Sequence, residues 1–196
     1  MADLILASRS KYRADLLRNA GVSFRIQRAE IDEREVEKPL LHSELNGSDI
    51  AEVLAIAKAT EVSERFRGDM IIGSDQTLTL AGELLHKPKD VEEARRRILA
   101  LSGKIHELNS AVALVLNGNV VWQHTEVCSI TFRDIDPGYV GRYMAEVGEV
   151  ALSSVGAYQI EGLGVNLFNS VEGDFFAVMG LPLIPLLTEL RRLGDR

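Results

Sequence analysis

Hydrophobic positions along this chain follow two rhythms. Short unbroken apolar runs alternate with stretches in which apolar residues recur every three or four positions, so strands and helices are predicted in turn. Leu4 to Ala7 make the first run, a short buried strand. Ser8 to Ser10 turn the chain. Ala14 and Leu17, with Leu16 and Ala20, then keep helical spacing from a start near Ser10 until Gly21 stops it. Val22 to Ile26 return as a strand, and residues 27–47 are polar and mixed and read as a loop. Ser48 or Asp49 caps the next helix, whose Ile50, Val53, Leu54 and Ala57 fall at i, i+3, i+4 and i+7.

Met70 to Ile72 predict an interior strand that Gly73 and Ser74 break, leaving Asp75 at its C-terminal end. Thr77–Leu80 and Leu84–Leu85 flank Ala81-Gly82-Glu83, a hairpin turn. Asp90 with Glu93 resembles a capping box, opening a helix that stops near Ser102-Gly103. Residues 105–116 and 119–132 are β-rich around Asn117-Gly118, a strong hairpin signal. Asp136-Pro137 opens another helix, with Pro in its first turn. Phe175 to Met179 read as a late strand, and Gly180-Leu181-Pro182 leads into a closing helix, Leu183 to Leu193. This alternation predicts an α/β protein with a mixed sheet, whose strand order does not follow from the pattern. No repeat, low-complexity tract or linker divides the chain. Residues 1–196 therefore read as one domain, or two closely packed lobes.

Composition narrows the classes. Cys128 is the only cysteine, which rules out an internal disulfide and any cysteine-built zinc site. The apolar patch near the N-terminus is too short for a secretion signal. No apolar run approaches the roughly 18 residues of a membrane span. A cytoplasmic protein with no membrane partner is expected. A net charge of −7 argues against a nucleic-acid surface, which needs a basic face. It leaves room for a small anionic substrate, because a few local cations can reverse the field inside one cleft.

Several places could carry chemistry. In LASRSKYRADLL a strand runs through a Ser-rich turn into a helix, where backbone N–H groups attract phosphate. Ser8 and Ser10 add hydroxyls, and Arg9, Lys11 and Arg13 add charge; the plainer reading is a capped, solvated turn. The turn is not a P-loop, because it lacks the GxxxxGK[ST] pattern. Glu30, Asp32 and Glu33 gather three acids on a polar loop, either solvated or suited to Mg²⁺. Asp75, at the end of a central strand, either caps a turn or sits where α/β proteins bind ligands. Lys87, fixed by Pro88, reaches either solvent or a phosphate. Ser102 lacks a nucleophile elbow, and His106 at a strand start reads as structural. Gly162 and Gly164 permit close backbone approach. Glu161 beside them either faces water or accepts from a base edge.

Taken in order, LAS-R-S-x-x-R, an acidic Asp-Glu pair, GSDQ, Lys-Pro, LSG-x-x-H, Y-x-I-E-G-x-G and GLPL resemble the Maf family over nearly the whole chain. The resemblance implies a mixed twisted central sheet with flanking helices, two lobes around a cleft and a fold shared with inosine triphosphate pyrophosphatases. It implies a metal-dependent pyrophosphatase that cleaves a nucleoside triphosphate between its α- and β-phosphates, using Mg²⁺ or Mn²⁺. By the same resemblance Ser8 and Arg13 face phosphate and Lys87 is the phosphate-facing lysine. Glu33 and Asp75 surround the metal, with Asp75 as general base. A homodimer rests on the resemblance alone.

Departures from the commonest pattern point to a branch. Tyr12, Gln76 and Glu161 stand where Arg, Thr and Gln are usual, and these changes resemble the members that act on 7-methyl-GTP. N7-methylation leaves guanine positively charged. Tyr12 offers that ring a π-face, and Glu161 an acceptor pair for N1–H and N2–H₂. The rivals are a dTTP/UTP pyrophosphatase of the same family and a non-catalytic nucleotide-binding regulator of septum formation.

Overall fold

The structure, a computed structural model, describes residues 3–40 and 44–194. Residues 41–43 of the predicted loop therefore lie outside the described residues. The strands are β1 (Leu4–Ala7), β2 (Arg25–Ile26), β3 (Met70–Leu80), β4 (Glu83–Leu85), β5 (Ile105–Leu116), β6 (Asn119–Phe132) and β7 (Phe168–Glu172). They form one mixed sheet in the order β2-β1-β3-β5-β6-β7, with β4 paired to β3 beside that path. The helices are α1 (Lys11–Asn19), α2 (Glu33–Glu37), α3 (Gly47–Arg65), α4 (Val91–Leu101), α5 (Pro137–Val147), α6 (Phe175–Val178) and α7 (Leu183–Gly194). Two 3₁₀ turns, Gly148–Ser153 and Leu163–Leu167, link α5 to β7.

β3 organises the fold. One of its edges pairs with β5 along nearly its whole length, Met70 to Thr79. Its other edge forks. β1 runs parallel to it as far as Ala7 opposite Gly73, and β4 returns antiparallel from Leu78 onward. Between those points, Ser74 to Thr77 have no strand on that side, so the sheet opens there. The strand expected to break at Gly73 and Ser74 is thus continuous, because β5 pairs through both. Asp75 lies mid-strand rather than at a strand end. It still stands just past the end of β1, where the parallel part of the sheet stops.

Alternation along the strands sorts the core. Leu6, Ile72 and Leu114 face α1 and α7, joined by Leu17 and Leu186. Ile5, Ile71 and Val115 point the other way, toward Ala59 and Val62 of α3. Beyond the fork a larger cluster gathers Leu78, Ile98, Ile130, Phe132, Val140 and Tyr158 under α4 and α5. The cleft opens between the two larger cores.

Helix α3 lies very close to the sheet. Gly47, Ala51, Ala55 and Ala59 recur every fourth residue and put one stripe of small side chains against β3 and β5. A Cβ on Gly73 would stand 2.0 Å from the Ala55 carbonyl oxygen and 2.7 Å from Ala59 Cβ. A Cβ on Gly47 would stand 2.5 Å from Thr79 Cγ2, and Thr77 Oγ1 donates to the Gly47 carbonyl at 2.7 Å. Gly73 is therefore a packing residue, and its appearance as a strand breaker was misleading.

Other expectations need correction. Only Arg25 and Ile26 of the predicted strand 22–26 pair with β1. The loop 27–47 contains α2, whose N-cap Asp32 accepts from the N–H groups of Arg34 and Glu35. Asn46, two or three residues earlier than expected, caps α3, and Asp49 completes a reciprocal capping box from its N3 position. Phe175 to Met179 do not form a strand. Asp174 caps Ala177 N–H and starts the short helix α6, while the last strand lies earlier, at β7. The hairpin at Asn117-Gly118 and the helix after Asp136 fall where expected.

The close approach at Gly73 yields a prediction. Gly73→Ala forces α3 off the sheet and costs about 1–3 kcal/mol, the range for overpacking a tight core. Urea unfolding should show a lowered midpoint with the slope retained; an unchanged midpoint would mean that α3 yields freely.

Candidate functional site

A cleft of about 830 Å³ opens at the fork in the sheet. Its walls come from the β1–α1 turn, residues 29–37, the middle of β3, the segment after β4, residues 153–161 and residues 178–180. Ser8, Tyr12, Arg13, Glu33, Asp75, Gln76, Lys87 and Glu161 all line it. A volume of this size suits a nucleotide-sized ligand.

At the cleft floor Lys58 joins two carboxylates. Its Nζ lies 2.7 Å from Glu33 Oε1 and 2.5 Å from Asp75 Oδ1. Asp75 and Lys58 are buried, whereas the Glu33 side chain is about half exposed. Burial alone would raise the Glu33 carboxyl, but Lys58, and then Lys87 and Arg13, outweigh it and hold the group below its ordinary value. Asp75 Oδ2 makes no hydrogen bond among the described residues, and Asp75 lines the cleft.

Arg13 is buried and pinned. Its Nε donates to the Gly180 carbonyl at 2.8 Å, and its Nη1 donates to the Ser74 carbonyl at 2.8 Å and to Ser8 Oγ at 3.3 Å. Ser74 Oγ donates to the same Gly180 carbonyl. One guanidinium thus ties α1, the open edge of β3 and the turn after α6 together. Burial pushes its pKa down, while Asp75 and Glu33 pull it back up. Nη2 has no partner among the described residues, so one face of the guanidinium remains available. Ser8 Oγ also accepts from Ser10 N–H at 3.1 Å, and Ser10 caps α1 through Arg13 N–H.

Lys87 sits at the rim, exposed and without an ion pair among the described residues. Burial of its surroundings and then Arg13 lower its pKa, while Glu33 and Asp75 oppose them. A cation crowded by another cation is a place where an anion is welcome. Lys87 and Asp75 belong to one crevice rather than to opposite sides of the molecule.

The remaining candidates divide. Asp75 and Gln76 are successive residues and point to opposite faces of β3. Gln76 Nε2 is held by Ser110 Oγ and by the Ala177 and Val178 carbonyls at 2.9–3.1 Å, which leaves its Oε1 free of those contacts. Tyr12 reaches Ser153 across the cleft, hydroxyl to hydroxyl at 3.4 Å. Glu161 is exposed and has no hydrogen bond among the described residues. Of the three loop acids only Glu33 joins the charge cluster: Asp32 is a helix cap and Glu30 pairs with Arg65. Ser102 bonds Ile135, and His106 is buried with Nε2 2.7 Å from Tyr158 Oη. Burial pushes that imidazole down to about 4, which keeps it neutral near pH 7.

Two residues escaped the sequence reading. Lys58 lies at i+4 from Leu54 and i+8 from Ile50, a lysine on a buried stripe, and such a cation needs a partner. That was the signal. Glu37 lies one turn after Glu33 on α2 and lines the same cleft. Desolvation raises its pKa, with His86 opposing and Asp75 and Glu33 adding to the rise; His86 Nδ1 is 3.7 Å away. Nothing in a polar loop announced it.

Comparison with known proteins adds to this geometry. The family model described as "Maf-like protein" matches residues 3–193. A 7-methyl-GTP pyrophosphatase of Brucella abortus is 53% identical over 189 residues, 96% of this chain and 95% of that protein. A 7-methyl-GTP pyrophosphatase of Mesorhizobium japonicum is 54% identical over 191 residues, 97% of this chain and 96% of that protein. A solved HAM1 protein from Coxiella burnetii is 18% identical, with a TM-score of 0.41 over 67% of this chain and 73% of that one, too distant to bear on the site.

The clamp at Lys58 makes two predictions. Lys58→Met leaves two carboxylates facing each other and should cost about 3 kcal/mol at neutral pH, the lower end for a broken buried pair because the cleft admits water. The second concerns pH. Glu33 titrates below its ordinary 4.5 in the folded state, so its pairing stabilises the fold above that value. The contribution is lost as pH falls through the folded value. The stability gap between the wild type and Glu33→Gln should therefore be full at pH 7 and close on acidification below 4.5; a gap that widens in acid would contradict the sign.

Proposed function

The chain belongs to the Maf family, and from that premise we propose that it is a nucleoside triphosphate pyrophosphatase converting 7-methyl-GTP to 7-methyl-GMP and pyrophosphate. One observation carries the reading. Arg13, Lys58 and Lys87 converge with Glu33 and Asp75 on a single cleft in a protein whose net charge is −7. Such an arrangement suits a polyphosphate and a water to attack it.

The chemistry assigned to the residues is simple. Lys58 orients Asp75 by binding Oδ1. Oδ2 takes a proton from a water whose oxygen bonds to phosphorus at the α–β bridge. The bridging P–O bond breaks, and its electrons leave with pyrophosphate. Lys87 and the free face of Arg13 neutralise the phosphate oxygens, while Ser8 keeps the guanidinium aimed. Most of the rate enhancement would come from position and fixed charge.

The carboxylates also fit a divalent metal. Glu33 and Asp75 already share one cation, Lys58, and each has an oxygen not used in that contact. Among the described residues no group of three or more His, Cys, Asp or Glu side chains could hold a metal. Glu33 and Asp75 would hold the ion as two carboxylates, a set that suits Mg²⁺, which commonly takes one or two carboxylates together with substrate phosphates. When bound, Mg²⁺ or Mn²⁺ would supply Lewis acidity and neutralise charge on the triphosphate.

Base selection is assigned to the other end of the cleft. Glu161 has no partner among the described residues and can accept from two donors on the guanine edge, whereas uracil and thymine offer one donor flanked by acceptors that repel a carboxylate. Tyr12 can lie against a cationic ring. The names of the relatives support the same substrate.

Asp75→Asn should lower turnover by at least about 10³-fold, within the range for losing a positioned base, with the unfolding curve little changed. Glu161→Gln should erode the preference for 7-methyl-GTP over GTP by about tenfold. A pyrophosphate-release assay across 7-methyl-GTP, GTP, dTTP and UTP reads both. A wild type that prefers dTTP and UTP would refute the base assignment, and one that releases no pyrophosphate would refute the enzyme.

A further inference from the structure

A second groove opens off the cleft beside β4, and we infer that it is a phosphate subsite holding the terminal phosphoryl groups of the substrate and the pyrophosphate that leaves. The inference rests on the pyrophosphatase reading and extends it to residues not used there. The groove encloses about 450 Å³. Arg34, Glu37, His86 and Lys87 line both the groove and the cleft, so the two adjoin at the wall that carries Lys87. Tyr12, Gln159 and Glu161 line the cleft alone, as do Ser8, Arg13 and Asp75. Lys87 is the residue assigned to phosphate that the groove shares, so the groove meets the cleft at its Lys87 wall.

Its charge opposes that of the whole chain. Five cationic side chains, Arg34, Lys38, Lys87, Lys89 and Arg97, face two carboxylates, Glu37 and Glu93. Two of the cations are already engaged. Lys38 pairs with Glu35, and Arg97 donates to the carbonyls of His86 and Val155 at 2.8 and 2.7 Å. Arg34, Lys87 and Lys89 have no ion pair among the described residues. Gathering three unpaired cations costs self-repulsion that a multiply charged anion removes.

The backbone keeps two of them in place. Lys87 and Lys89 flank the buried Pro88, whose ring fixes φ. Arg97 anchors the residue before Lys87 through the His86 carbonyl, and Glu93 Oε2 accepts from Lys89 N–H at 3.0 Å. Two lysines on a short, tethered segment line one groove at a position that a chain of phosphates leaving the cleft would reach.

Lys89 supplies the test, because it lines the groove and not the cleft. Pyrophosphate and 7-methyl-GMP are each titrated calorimetrically into the magnesium-supplemented full chain, and each is measured as a product inhibitor. Lys89→Ala should weaken pyrophosphate about five- to tenfold, the loss of one charge-assisted contact, and Lys89→Glu should weaken it further. The affinity for 7-methyl-GMP should change less than about twofold. Pyrophosphate affinity unchanged in both variants, or equal losses for the two products, overturns the groove. Turnover of 7-methyl-GTP by the wild type separates the two levels. Normal turnover with pyrophosphate binding indifferent to Lys89 ends this inference alone, whereas absent turnover ends it together with the function on which it stands.

Discussion

The missing side chain of Gly73 is the constraint on which the rest hangs. Helix α3 can lie with its Ala55 carbonyl over β3 only because nothing projects from that point of the strand. That approach brings Lys58, one turn along α3, to Asp75, two residues along β3. The same stripe of small residues seats Gly47 on Thr77 and Thr79, so the helix is fixed at two places on one strand. Sheet, helix and charge cluster are consequences of one close contact.

Pinning charges before a ligand arrives is the second consequence. Arg13 and Lys58 are buried cations, and neither is left to find its own geometry. Backbone carbonyls of Ser74 and Gly180 hold the first, and two carboxylates hold the second. Each already has its desolvation partly offset, so little reorganisation is needed when phosphate oxygens enter. Lys87 differs: it is exposed, unpaired and crowded by Arg13. An anion entering the cleft gains most from a cation that no carboxylate already satisfies. The division is between cations that shape the site and a cation that waits at its rim.

What the sequence made legible was local. Asn117-Gly118, Asp136-Pro137 and Asp90 each carry their turn or cap chemistry in adjacent residues, and the structure has a turn or helix start at each. The ordered motifs made the eight candidate residues legible, and all of them line one cleft. Non-local facts were hidden. Gly73 looked like a breaker because its true partner, Ala55, is on another element. Lys58 drew no notice because its partner Asp75 lies across the helix–sheet interface. Phe175 and Phe176 have the composition of a strand, yet the cap at Asp174 starts a helix there. The break expected after Ile72 assumed that glycine ends strands, whereas β5 pairs straight through it.

The fork in the sheet explains why neighbouring residues on β3 can have unlike duties. Successive side chains on a strand face opposite ways, so Asp75 meets α3 and Gln76 meets the turn after α6. In a fully paired sheet those two faces would be separate compartments. Here β1 has ended and β4 has not begun, so the cleft wraps the open edge and touches both faces at once. The amide nitrogen of Gln76, spent on Ala177, Val178 and Ser110, holds the far wall at a fixed height relative to the carboxylate. A slip of one residue in the β3–β5 register would turn both side chains to the opposite faces, taking the carboxylate away from Lys58 and the amide nitrogen away from the Ala177 and Val178 carbonyls. Lys58 would lose one of its two carboxylates, and buried carbonyl oxygens would lose their donor. The pairing of β3 with β5 along nearly its full length is therefore as much a requirement of the site as any residue lining it.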